Sequence, residues 1–200
     1  MSPLQTRTKR TLRVDAAAER ALDDLIAELH AARSARKRSQ EAVAARLPVR
    51  GRAISEWETR AVTPKLRYLI LWSDALNCSL AIVGPDGYER KGSARQRPGE
   101  AWEAFERRRL ASPMRERRRT ANLSQDAAGE LVGVSGSSVQ RWELAIAIPR
   151  PIALIVWART FGFNLVLREQ SARTPREVSA PTGNHLDYRR LKTGTDQGEQ

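Results

Sequence analysis

Residues 123–167, LSQDAAGELVGVSGSSVQRWELAIAIPRPIALIVWARTFGFNLVL, carry the pattern of a small three-helix unit. A Ser-Gln start with an apolar stripe behind it, a tight turn at Gly133-Val134 and a second stripe through Val139 and Trp142 give two short helices. Pro149 opens a third. The same unit stands 85 positions earlier. Ser39-Gln40, Val49, Gly51, Trp57-Glu58, Pro64, Leu69-Ile70, Trp72 and Leu80 fall on Ser124-Gln125, Val134, Gly136, Trp142-Glu143, Pro149, Leu154-Ile155, Trp157 and Leu165. From Ser39 to Ile82 the alignment needs no gap and keeps 12 of 44 positions, so the chain contains the unit twice in fixed register.

The run Ser-Gln-x-x-x-(Ala/Gly)-x-x-(Leu/Val)-x-Val, then (Ile/Val)-x-x-Trp-Glu, then a proline, resembles the Cro/repressor-type helix-turn-helix family, also called lambda-repressor-like, Cro/C1 or XRE. The resemblance covers both copies. It implies a mainly α fold, with two lambda-repressor-like helix-turn-helix domains in tandem, each ending in a short β-strand. It also implies a sequence-specific, repressor-like transcriptional regulator of bacterial or phage type that binds double-stranded DNA through two non-identical recognition helices. Pro48 replaces the family's turn glycine in copy 1, and Ala128 stands where a large aliphatic is usual in copy 2. The expected organisation is a basic N-terminal arm (1–14), domain 1 (15–83), a Gly/Pro-rich linker (84–99), domain 2 (100–168) and a disordered tail (169–200) with a short helix at 185–191.

The composition agrees with a polyanionic partner: 35 Lys and Arg against 23 Asp and Glu give a net charge of +12. An apolar share of 40% suffices for two small cores. No run is long and apolar enough for a membrane span, and the start MSPLQTRTKRTLRV lacks the apolar centre of a signal peptide, so a cytoplasmic, nucleoid-associated location is expected. Cys78 is the single cysteine and is expected to be a small buried or half-buried side chain. Neither His30 nor His185 has a partner set for acid-base or metal chemistry, and no nucleotide-binding glycine loop is present. No catalytic residue, metal or cofactor is expected, and catalysis is the weakest functional class.

Leu22, Leu25, Ile26 and Leu29 mark a helix over 15–37. Ser39 reads as an N-cap that leaves the Gln40 amide pointing outward. The third helix of copy 1 is expected to start near Arg50, with Ile54 and Trp57 inward. Arg50, Arg52, Ala53 and Glu56 then face outward, matched in copy 2 by Ser135, Ser137, Ser138 and Arg141. Such side chains at the N-terminal half of a recognition helix reach base edges in the major groove, where the arginine fork matches guanine. Gly51 and Gly136 each cost about 1 kcal/mol in a helix, which close approach to DNA or a loose helix start would explain. Backbone contacts are assigned to Gln40, Arg60, Lys65, Gln125 and Arg150. By resemblance, Arg33 pairs with Glu58 and Arg118 with Glu143, tying the first helix of each unit to the recognition helix.

Pro64 and Pro149 suit the first position of the next helix. A helix carrying Trp102, Phe105 and Leu110 is expected to break at Ser112-Pro113 and restart there. The linker can span at most about 50 to 58 Å, more than one DNA turn of about 34 Å. Residues 79–83 and 164–167 are β-prone and expected to pair with each other or with a second chain. The loop after Trp-Glu is polar in copy 1 (TRAVT) and apolar in copy 2 (LAIAI), so Leu144, Ile146 and Ile148 are expected either to form a homodimer contact or to pack on the linker helix, with the terminal strands as the other homodimer contact. The alternative function is an antitoxin-like or phage-encoded protein-interaction adaptor whose DNA binding is autoregulatory.

Overall fold

A computed structural model describes residues 10–170. Arg7 and Lys9 of the arm, His185 and the 185–191 helix lie outside the described residues. The order is α1 Ala16–Ala35, α2 Gln40–Ala44, α3 Gly51–Glu58, α4 Leu66–Ala75, β1 Cys78–Val83, α5 Trp102–Thr120, α6 Gln125–Val132, α7 Gly136–Glu143, α8 Pro151–Thr160 and β2 Asn164–Glu169. The mainly α expectation, with a strand closing each unit, holds.

Local chemistry sets these boundaries twice over. Ser39 accepts a hydrogen bond from the Ala42 amide at 3.0 Å, and Ser124 one from the Ala127 amide at 3.0 Å, so the same cap starts α2 and α6. Left-handed backbone recurs at the repeat offset: Lys37 and Asn122, Arg60 and Ala145, Asn77 and Gly162 all have φ between 50° and 77°. The helix-turn is the exception. Gly133 ends α6 in the left-handed region (φ 85°), with the amides of Gly133 and Val134 both donating to the Gly129 carbonyl. Pro48 cannot adopt that conformation, and α2 instead tapers through turns in which the amides of Arg46 and Leu47 donate to the carbonyls of Val43 and Ala44.

Three boundary expectations are corrected. Pro64 and Pro149 precede the cap residues Lys65 and Arg150, whose backbones are extended; α4 therefore begins at Leu66, and the first-position proline of α8 is Pro151. α5 does not break at Ser112-Pro113 but runs through it, with both residues buried. Gly92 of the linker presses on this point, leaving no room for a Cβ against Ser112. The linker is folded back rather than extended: Gly84 donates to the Tyr88 carbonyl, Arg90 to that of Ile82, and Val83 bridges Glu89.

β1 and β2 pair with each other, antiparallel, from Cys78 opposite Glu169 to Val83 opposite Asn164. Of the two expected strand partners, it is the one within the chain that is used. α1 packs on α8 and, reciprocally, α4 on α5. Two separate cores were expected; instead Leu25, Leu29, Trp72 and Leu80 of unit 1 and Leu110, Met114, Trp157 and Leu165 of unit 2 join one hydrophobic cluster. Cys78 is buried in it, and burial pushes its thiol pKa up. β2 extends to Glu169, and the Gln170 amide still donates to the Asn77 carbonyl at 3.0 Å, so order continues past the expected boundary at 168.

Candidate nucleic-acid interface

α3 and α7 are each braced from behind by the same three side chains. In unit 1, Arg33 Nε donates to Glu58 Oε1 at 2.6 Å and Nη2 to Oε2 at 2.8 Å, Nη1 donates to the Arg38 carbonyl at 2.7 Å, and Oε2 also accepts from Gln40 Nε2 at 2.7 Å. Unit 2 repeats this with Arg118 to Glu143 at 2.6 and 2.8 Å, Arg118 to the Leu123 carbonyl at 2.7 Å and Gln125 to Glu143 at 3.1 Å. Both expected ion pairs are present. The amides of Gln40 and Gln125 are not free to point outward, since each bonds the glutamate at the end of α3 or α7. Burial would raise the Glu58 pKa, but the hydrogen bonds from Arg33 and Gln40 outweigh it and hold the carboxyl below its usual range. The bidentate fork fixes helix orientation as well as charge.

The glycines at the start of α3 and α7 have a cause that sequence reasoning missed. A Cβ on Gly136 would collide with Asp126 Oδ1, and one on Gly51 would meet Glu41 Oε1 at 3.0 Å. The glycine thus lets the acidic residue of the preceding helix sit against the N-terminus of α3 or α7, where negative charge is favourable. Its one trace in the sequence is an acidic residue after Ser-Gln in both copies, Glu41 and Asp126, which nothing there ties to the glycine.

The outward faces differ. At α3, the N-cap residue Arg50 and Arg52 are exposed, Ala53 and Glu56 partly so, and Arg52 Nε pairs with Glu56 Oε1 at 2.7 Å with 88% of its side chain in solvent. Such a pair is worth about 0 to 1 kcal/mol, little enough for Arg52 to exchange it for another acceptor. In α7, Ser135 is the N-cap, accepting from the Ser138 amide at 3.2 Å and lying 2.9 Å from both the Ser137 and Ser138 hydroxyls. Ser137 and Arg141 are exposed. Arg60 lies 3.3 Å from Asp23. Lys65 and Arg150 are exposed and line one cleft of about 980 Å³, together with residues of both units. Leu144, Ile146 and Ile148 stand 47, 64 and 42% exposed.

Residues 10–14, expected as part of a basic arm, lie across the helix-turn of unit 2. The Arg13 amide donates to the Val132 carbonyl at 3.0 Å, Arg10 Nη1 to the Val134 carbonyl at 3.2 Å, and Arg10 pairs with Glu130 at 3.1 Å. Gly133 has no room for a side chain beneath the Thr11 carbonyl. No periodicity announces such a contact.

Among the described residues no helix is long and apolar enough to cross a membrane. No curated protein and no solved structure gives a match. Two family models do match: one described as helix-turn-helix over residues 29–83, the other as helix-turn-helix domain over 109–171. Together with the duplicated brace and outward helix, these matches place two helix-turn-helix domains in one chain, in a tandem Cro/C1-like arrangement.

Proposed function

We propose that this chain is a sequence-specific, repressor-like transcriptional regulator that reads double-stranded DNA with α3 and α7. The observation that carries the reading is the pair of identical Arg-Glu-Gln braces, which hold two outward helices whose exposed residues differ: Arg50 and Arg52 on α3, Ser137 and Arg141 on α7. Arginine on α3 favours guanine O6 and N7, whereas α7 reads through Arg141 and hydroxyls. Ser135 is occupied as a cap, and its hydroxyl contributes through Ser137 and Ser138. Backbone contacts come from Lys65 and Arg150 at the cleft, from Arg60 once it leaves Asp23, and from the first turns at Gln40 and Gln125.

Selecting bound sequences from a random duplex pool with the full chain tests this directly. At the selected site, Arg52→Ala or Arg141→Ala is expected to cost about 1 to 3 kcal/mol and to relax preference at one base pair. Equal loss on random DNA would show that the residue grips phosphate rather than base.

A second reading, an antitoxin-like adaptor with autoregulatory DNA binding, draws on one observation: the exposed Leu144, Ile146 and Ile148. Co-purification of a stoichiometric protein partner, lost on Ile146→Asp, favours it.

A further inference from the structure

The ladder between β1 and β2 has a register that the repeat offset makes informative. Ala81 faces Val166, and these two residues are 85 positions apart, so they are the same residue of the two units. In an antiparallel pair, that places a local two-fold axis between them and sends every other pairing to its mirror: Leu80 faces Leu167 while Ile82 faces Leu165. The helices obey the same axis, α1 on α8 answering α5 on α4. So does the cleft, lined by Thr63, Pro64 and Lys65 on one side and their counterparts Ile148, Pro149 and Arg150 on the other. Those segments follow α3 and α7 directly, so the two outward helices flank the axis at its cleft end.

A tandem sequence repeat could have produced a head-to-tail pair of domains, which would suit direct DNA repeats. The arrangement is instead isologous. Side-chain contacts break the symmetry that the backbone keeps: Arg67 pairs with Glu103 across one α4–α5 junction, whereas the corresponding positions on the other side are Ile152 and Ala18. The shared core, the ladder and residues 10–13 on the unit 2 turn hold the domains as one body.

We infer that one chain is an internal pseudo-dimer that occupies an inverted pair of unlike half-sites, one chain per site, at a single fixed spacing. The inference rests on the DNA reading proposed above and adds orientation, stoichiometry and spacing to it. The two-fold of the backbone matches the local two-fold of B-DNA, and the unlike outward residues make the two halves read differently.

The test uses the full chain and duplexes built from the half-sites recovered by selection. Binding is expected to be tightest to the inverted arrangement with one chain per duplex by native mass spectrometry. Reversing one half-site, or inserting about half a helical turn (roughly 5 base pairs) between the halves, is expected to weaken binding about a hundredfold or more, because only one helix can then engage. A variant carrying the α7 face on α3 (Arg50→Ser, Arg52→Ser, Ala53→Ser, Glu56→Arg) alters exposed or half-exposed positions and is expected to select a symmetric palindrome of the unit 2 half-site. Preference for direct repeats, indifference to spacing, or two chains per duplex overturns the inference while leaving DNA reading intact. No sequence preference on any duplex sinks the DNA reading itself, and this arrangement with it.

Discussion

Glu58 and Arg33 show how a single carboxylate can hold a helix in place. Removing one partner strands the other in a largely dry site, so Glu58→Gln is expected to lower unfolding free energy by about 3 kcal/mol in urea titration. The sign of the pH effect follows from the direction of the shift. The folded carboxyl ionises below its ordinary range while the unfolded one ionises near pH 4.3, so the stabilisation is fully present above that value. It drains away as pH falls through the folded value. Glu58→Gln is therefore expected to flatten the stability curve between about pH 5 and the folded-state value; an unchanged slope would mean that other carboxylates govern acid unfolding. This brace was legible from sequence because the family's pairing fixes its offsets: Arg33 stands seven residues before Gln40, as Arg118 does before Gln125. The role of Gly136 was not legible, because the side chain it makes room for, Asp126, lies on another helix.

At the scale of elements, α5 carries the clearest conflict between local preference and packing. Pro113 lacks the amide that the helix interior needs, at a cost of about 3 kcal/mol, yet the helix continues because Leu110, Ala111 and Met114 around it are buried in the shared core. Pro113→Ala is accordingly expected to raise stability, by about 2 kcal/mol after the lost packing is subtracted, measured as a higher melting temperature. A fall would show that the ring's fit beneath Gly92 outweighs the missing hydrogen bond. The same override explains the misplaced break at Ser112-Pro113: a serine before a proline spells a cap only when the helix upstream has nothing to hold it. The starts of α4 and α8 were missed by two residues for a different reason, since proline marks the approach to a helix as readily as its first turn. The helices themselves were read correctly, because a 3.6-residue stripe repeated in a second copy is hard to mistake.

For the whole molecule, the sequence offered two ways to pair the terminal strands and did not choose between them; the choice depends on how α1 meets α8, which no periodicity records. The docking of residues 10–13 on the distant turn of unit 2 was hidden for the same reason. One consequence is thermodynamic. Since the hydrophobic cluster crosses from one unit to the other, the chain is expected to unfold in a single calorimetric transition whose van't Hoff and calorimetric enthalpies agree. Two resolved transitions would show that each domain stands on its own.

The closed ladder also bears on dosage. Two separate subunits must first find each other, so at low abundance the assembled species grows with the square of the protein present and the response has a threshold. Here the two halves are joined covalently and meet at an effective concentration set by the tether, whatever the cell's supply. Occupancy should then rise with the first power of abundance, and a promoter under this chain would respond in graded fashion from its first few molecules.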